Sequence, residues 1–136
     1  MKIMKKNFEI LAAAAAMILA MLAFAWADGG FRFLGPLRRI VTPNGDVRND
    51  SAVFCFDNPS DSDVSGTIYS LLGSHVADFG SKTDPALSGC PSAGLFKAQS
   101  LSWDGRSNGS TVHSGVYIYQ IRAEGLTFTG SILVVR

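Results

Sequence analysis

The stretch that decides how this sequence is read is Thr42-Pro43-Asn44-Gly45-Asp46-Val47-Arg48-Asn49-Asp50. Pro43 fixes one φ angle and Gly45 allows a positive one, so the stretch predicts a built loop. Its Asn and Asp side chains can bond nearby backbone amides or bind a cation. An apolar, alternating segment follows directly, which places this opening loop between two strands.

Working outward from the loop, short apolar segments alternate with turn formers. Phe54 and Phe56 lie two residues apart with Cys55 between them, which predicts both rings in the core and Cys55 on the opposite face. No window after residue 27 keeps a helical period, so this spacing predicts an all-β, antiparallel sandwich. The predicted strands are residues 31–41, 51–57, 64–72, 76–79, 96–103, 116–123 and 128–135.

Residues 1–27 have the form of a secretory signal peptide. Three lysines precede an apolar run over residues 10–24, and Ala25-Trp26-Ala27 supplies small residues at cleavage spacing. The alternative is an uncleaved membrane anchor, but the run is shorter than the roughly 20 residues that a spanning helix needs. We therefore expect export to the periplasm, the cell surface or the medium, with membrane contact only through this segment before cleavage.

The chain that remains after cleavage is nearly neutral. It has 109 residues with nine Lys plus Arg and ten Asp plus Glu, a net charge of −1. A chain without a basic stripe gives no support for nucleic-acid binding. At this length we expect one domain, with residues 28–39 as a lead-in and first strand and residues 40–136 as the sandwich.

Cys55 and Cys90 are the only cysteines. In an exported chain they predict a disulfide, which would close a loop of about 36 residues and stabilise the fold by about 4 kcal/mol in the chain-entropy model. The alternatives are two free thiols or a metal pair. A zinc site would need further ligands, and only His75 and His113 are available.

The opening loop carries the sharpest chemical hypothesis, a weak calcium site. Asn44, Asp46, Asn49 and Asp50 place four oxygen-bearing side chains within seven residues, and calcium takes six to eight oxygens. The alternative is that these side chains cap turns. No other cofactor is indicated. No nucleophile motif occurs in the chain, so we expect a protein that is not an enzyme.

Four motifs occur along the chain in a recognisable order. They are Pro43-Asn44-Gly45-Asp46 with Asn49 and Asp50, Trp103-Asp104-Gly105-Arg106 with Gly109, Gly115-Val116-Tyr117-Ile118-Tyr119, and Gly130-Ser131-Ile132-Leu133-Val134-Val135-Arg136. In this order and spacing they resemble the immunoglobulin-like domain of flagellar hook-capping proteins and the related gliding-motility-associated C-terminal domain. The resemblance covers residues 40–136.

That resemblance implies an immunoglobulin-like sandwich without catalytic activity, acting in protein binding or extracellular assembly. Its partner would be a protein on the cell surface, met by strand addition at open edges, for which the first and the C-terminal strands are the candidates. The alternative is a sorting or anchoring module read by type IX secretion. The family loop usually has Gly where Val47 stands, so the tight turn is expected to differ here.

Three aromatic residues of these motifs allow two interpretations. Trp103, Tyr117 and Tyr119 could stack on a ligand or fill the core of the sandwich, and we favour the core. Tyr117 or Tyr119, near the start of its strand, could bond back to the backbone as immunoglobulin-like folds often do.

Overall fold

The computed structural model describes residues 3–4, 29–83 and 88–136. Apart from residues 3–4, the predicted signal peptide therefore lies outside the described residues. Within the described ranges, no helix is both long enough and apolar enough to cross a membrane.

The described chain is all-β, as predicted. Its strands, in chain order, are β1 (Arg32–Pro36), β2 (Ile40–Val41), β3 (Ala52–Asp57), β4 (Val64–Ser70), β5 (His75–Phe79), β6 (Lys82–Thr83), β7 (Ala98–Trp103), β8 (Arg106–Ser107), β9 (Ser110–Thr111), β10 (Gly115–Ala123) and β11 (Leu126–Val134). Seven of the strands have five or more residues, and each overlaps one of the seven predicted segments. The other four have two residues each, and β6, β8 and β9 lie in segments predicted as loop or turn.

The strands form two large sheets and one small one. The four-stranded sheet has the order β1-β3-β7-β6, the five-stranded sheet has the order β2-β11-β10-β4-β5, and β8 pairs with β9. Neighbouring strands are antiparallel except for β2, which runs parallel to β11. Buried residues from both large sheets form one hydrophobic cluster between them, an arrangement consistent with the predicted β-sandwich.

Aromatic rings join the two sheets across the core. The ring centroid of Phe54 lies 4.8 Å from that of Tyr119 and 5.3 Å from that of Phe79. Phe54 and Phe56 are fully buried, as the alternation of β3 predicted. Trp103 and Tyr119 are also buried, so both belong to the core and neither is placed to stack on a ligand.

The predicted disulfide between Cys55 and Cys90 is present. Cys55 points away from the core side of β3, as predicted, yet it is only 2% exposed because the segment around Cys90 covers it. The neighbouring Ser100 is also buried, and its hydroxyl donates to the Thr83 carbonyl at 3.3 Å. The bridge therefore fixes a long connection against the outside of the four-stranded sheet.

The single first strand predicted over residues 31–41 is wrong. The segment forms two strands, β1 in one sheet and β2 in the other. Gly35 has a φ of 101° and the pairing with β3 shifts register between Phe33 and Gly35, so the strand bends there. The Leu37 amide still bonds to β3, whereas the Arg39 carbonyl already accepts the amide of Leu133 in β11.

This crossing also limits the predicted edge at the C-terminal strand, because β2 covers the end of that strand. Ile40 and Val41 of β2 pair with Leu133 and Val134 at the end of β11. Among the described residues, no strand pairs with that side of β11 over residues 126–132. The other predicted edge is correct, because β1 is the outermost strand of the four-stranded sheet.

Candidate functional site

The carboxylate of Asp50 organises the opening loop. One of its oxygens accepts the backbone amides of Asn44 at 3.0 Å and Gly45 at 2.9 Å, and the other accepts the amide of Val47 at 2.7 Å. These bonds, first the one from Gly45, hold the pKa of Asp50 below its usual value of 3.8. Asp50 therefore holds the turn in place through three backbone donors.

The other residues of the proposed calcium site are also used inside the loop. The Asp46 carboxylate accepts the Arg48 amide at 2.8 Å and the side-chain amide of Asn44 at 3.1 Å. Asn49 contributes its backbone carbonyl, which accepts the amide of Thr42 at 2.7 Å. The side-chain contacts of Asn44, Asp46 and Asp50 support the turn-capping alternative, and calcium binding stays a prediction. Within the described ranges, no group of three or more His, Cys, Asp or Glu side chains is arranged to hold a metal ion.

Val47 adopts a left-handed backbone conformation within the opening loop. Its φ is 69° and its side chain is 91% exposed. A positive φ is a genuine outlier for a β-branched residue. The turn is therefore strained at Val47.

The sequence motifs meet at one end of the sandwich. Gly105 lies against the ring of Pro43, and the indole of Trp103 lies 5.9 Å from the ring of Tyr117. The Tyr117 hydroxyl donates to the His113 carbonyl at 2.8 Å, which is the return bond expected for this strand. The opening loop, the turn after β7 and the start of β10 thus form one connected end of the molecule.

The turn after β7 is held by its own polar groups. The Asp104 carboxylate accepts the Arg106 amide at 3.0 Å, and the Arg106 carbonyl accepts the Trp103 indole N–H at 2.9 Å. Gly109, with a φ of 80°, closes the small hairpin of β8 and β9. These motif residues shape the turn.

A network of charges occupies part of the surface beside β6 and β7. The Asp61 carboxylate lies 2.9 Å from the ammonium of Lys97 and 3.3 Å from that of Lys82, and it accepts the Gln99 side chain at 2.8 Å. These groups, first Lys97, hold the pKa of Asp61 far below its usual value. The network fixes the turn between β3 and β4.

An apolar patch lies on the solvent side of the five-stranded sheet. Val116 in β10 is opposite Leu133 in β11, and Leu133 is opposite Ile40 in β2. Ile118 lies one step along the same face of β10 and is opposite Tyr69 in β4. Ile40 is 50%, Val116 40% and Leu133 38% exposed. We call these five residues the outer patch.

Further exposed apolar side chains border the outer patch. Leu71 and Leu72 follow β4, and Val135 follows β11. Together with Ile40, Val116 and Leu133 they are six of the eleven exposed large hydrophobic residues that the structure describes from residue 29 onwards. Single exposed apolar residues are normal, but a contiguous group marks an interaction surface.

Polar side chains continue the same face beyond the patch. Thr67 donates to one oxygen of Asp78 at 2.9 Å, and the His75 ring lies 3.0 Å from the other. These contacts, first that of Thr67, lower the pKa of Asp78. In the next strands Gln120 is opposite both Thr67 and Thr129. The face is therefore apolar at the motif end and polar at the other.

The sequence analysis did not predict the outer patch as a surface, although Val116, Ile118 and Leu133 belong to two of the quoted motifs. The signal for it lies in β10, where Val116 and Ile118 alternate with the core residues Tyr119 and Ile121 so that both faces of the strand are apolar. A strand with one wet face normally alternates apolar with polar residues. An apolar outer face on a strand that is central in its sheet was the available clue.

No protein family, curated protein or solved structure gives a significant match to this chain. The resemblance to the hook-capping and gliding-motility domains therefore stays a prediction that depends on the motifs alone.

Proposed function

We propose that this chain is an exported, non-catalytic, immunoglobulin-like module that acts by binding a protein partner in an extracellular assembly. The strand orders support the fold assignment: β1-β3-β7-β6 corresponds to strands A-B-E-D, and β11-β10-β4-β5 to G-F-C-C′. The hydroxyl of Tyr117, near the start of the strand that would be F, bonds back to the backbone at His113, as in the tyrosine corner of that fold. The disulfide departs from the usual pattern, because Cys90 lies before the E strand and not in F.

The observation that carries the binding function is the outer patch. Ile40, Val116 and Leu133 expose between 38% and 50% of their surface although each lies within a regular strand. Burial of apolar surface contributes about 25 cal/mol per Å², so a contiguous exposed group favours association. We infer that a partner covers this face.

Site-specific photocrosslinking tests this proposal. A photoreactive phenylalanine analogue is placed at position 116 of the full chain, and the chain is produced in its native cells and irradiated. We expect a covalent adduct with a protein, because position 116 lies at the centre of the outer patch. The adduct is identified by mass spectrometry.

Position 96 provides the matched control. Phe96 precedes β7, a strand of the other sheet, and is 76% exposed. The same analogue there should give little or no adduct. Equal adducts at both positions, or none at position 116, would contradict the proposal.

A further inference from the structure

We infer that the partner of the outer patch is a second copy of this chain, in a two-fold dimer whose five-stranded sheets pack face to face. The inference rests on the proposed binding function and names its partner. In such an isologous interface the same patch serves both subunits, so the face must be complementary to itself.

The rows of side chains across the sheet meet that requirement at the apolar end. In one row Ile118 of β10 is opposite Tyr69 of β4. A two-fold axis parallel to the strands, between β10 and β4, places Ile118 of each copy over Tyr69 of the other. In the row above, Val116 comes over the end of β4 of the other copy, where the exposed Leu71 follows Ser70, so apolar side chains meet there as well.

The polar rows are complementary under the same axis. Gln120 comes over Thr67 of the other copy, because these two residues are opposite each other in the sheet. Asp78 in β5 comes over Thr129 in β11, which places a hydroxyl donor beside a carboxylate. Facing sheets incline by about 30°, so the individual pairs are displaced. The apolar half of one face still lies over the apolar half of the other, and the polar half over the polar half.

The same axis also keeps the charged side chains of this face apart from residues of like charge. Arg122 is opposite Ser65 in the sheet, so the axis brings Arg122 over Ser65 and not over the second Arg122. The axis likewise separates the two copies of Asp78, since the strand that faces β5 is β11. Like-charge juxtaposition, which suppresses wrong partners, does not arise in this arrangement.

The size of the face indicates how strong the dimer is. Four strands about 4.8 Å apart and four rows about 6.8 Å apart cover about 500 Å² on each copy, or about 1,000 Å² for the pair. That is the lower limit for a specific interface. We therefore expect a reversible, concentration-dependent dimer and not a permanent one.

Sedimentation velocity on the chain purified after export of the full-length product tests the inference. The sedimentation coefficient should rise with concentration from the monomer value toward that of a dimer. Val116→Arg should remain a monomer, with at least a tenfold weaker association. Val47→Arg makes the same chemical change at an exposed residue of the opening loop and should associate like the wild type.

A second measurement keeps the test valid if Val116→Arg folds poorly. On dilution of the unmodified chain, amide NMR shifts should change at Tyr69, Val116 and Ile118 and stay constant at Asp61 in the charged network. Shift changes confined to other surfaces, or a monomer at all concentrations up to about 1 mM, would overturn the dimer.

The two proposals fail in different ways. A chain that stays monomeric but crosslinks at position 116 to a different protein overturns the dimer and leaves the binding function standing. A chain that neither self-associates nor crosslinks at position 116 overturns both. An adduct of twice the mass of the chain supports both.

Discussion

Gly105 packs so closely on Pro43 that a Cβ atom at position 105 would lie 3.1 Å from both Cβ and Cγ of the proline ring. The contact joins the opening loop to the turn after β7, two of the motifs that are far apart in sequence. Gly105 also has a φ of 73°. The residue is therefore restricted to glycine by its backbone and by its neighbour.

Gly105→Ala should destabilise the fold by more than the cost of placing alanine at a positive φ. A left-handed conformation costs a non-glycine residue about 1–2 kcal/mol, and displacement of the Pro43 ring adds about 1 kcal/mol or more. The measurement is the free energy of unfolding in urea. Gly109→Ala is the control. Gly109 also has a φ of 80°, but no neighbouring atom would lie within 4 Å of a Cβ atom at that position. Equal losses in the two variants would show that the contact with Pro43 has no energetic weight.

Val47→Gly should stabilise the protein by about 0.5–1 kcal/mol. Glycine removes the strain of a side chain in the left-handed region, and its greater freedom in the unfolded chain cancels part of the gain. Val47→Ala is the matched control, since alanine keeps a Cβ at the same φ of 69°. Thermal unfolding should rank Gly above Ala at this position, and the reverse order would show that the turn is not strained.

Asp50→Asn distinguishes a turn-capping role from calcium binding. The carboxylate accepts three backbone amides with its two oxygens, whereas an amide side chain offers one acceptor oxygen. We expect the variant to melt at a lower temperature than the wild type, by the same amount in EDTA and in calcium. If the variant matches the wild type in EDTA and loses only a stabilisation that calcium confers, the loop is a calcium site.

The stability should fall in acid because four carboxyl groups have lowered pKa values in the folded state. These groups are Asp50, Asp61, Asp78 and Glu124. The pKa of Glu124 is lowered mainly by the Ser62 hydroxyl and then by the Phe31 amide. A carboxyl group whose pKa is lower in the folded state than in the unfolded state contributes its full stabilisation at pH values above the unfolded-state pKa. That stabilisation is lost as the pH falls through the folded-state pKa. The unfolded aspartates titrate near 3.8, so the melting temperature should drop below pH 4 and change little above pH 5. A flat profile down to pH 2 would show that these contacts do not stabilise the fold.

A single substitution tests whether these carboxyl groups cause the loss of stability in acid. Glu124→Gln removes one titrating group but keeps a side-chain oxygen that can accept the Phe31 amide, which Glu124 now accepts at 3.0 Å. The drop in melting temperature below pH 4 should be smaller in this variant than in the wild type. An unchanged drop would assign the acid response to the other carboxylates.

The strands and the disulfide could be predicted because their signals are local or compositional. Phe54 and Phe56 alternate with Cys55, and two cysteines in a chain predicted to be exported leave one pairing. The crossing from β1 to β2 could not be predicted in the same way. Residues 31–41 read as one irregular strand, because nothing in a local pattern shows that Leu37 bonds to one sheet and Arg39 to the other.

The candidate sites differ in the same respect. The turn around Asp50 could be predicted because the residue types that form it lie within nine positions. Whether their side-chain oxygens cap the turn or bind a cation could not be predicted. The outer patch joins Ile40, Tyr69 and Val116 from three separate strands. Only the register between strands brings them together, and a register is not visible in one strand.

The crossing of the N-terminal segment between the sheets determines how the domain would respond to force. β2 runs in the same direction as β11 and is bonded beside its end through the amides of Leu133 and Val135. A pull on the start of β2 against residue 135 therefore acts along these two strands and loads the β2–β11 bonds together in shear. Such bonds must break together, whereas a hairpin that is pulled apart opens one bond at a time. A module joined to neighbours at both ends would resist extension at this seam.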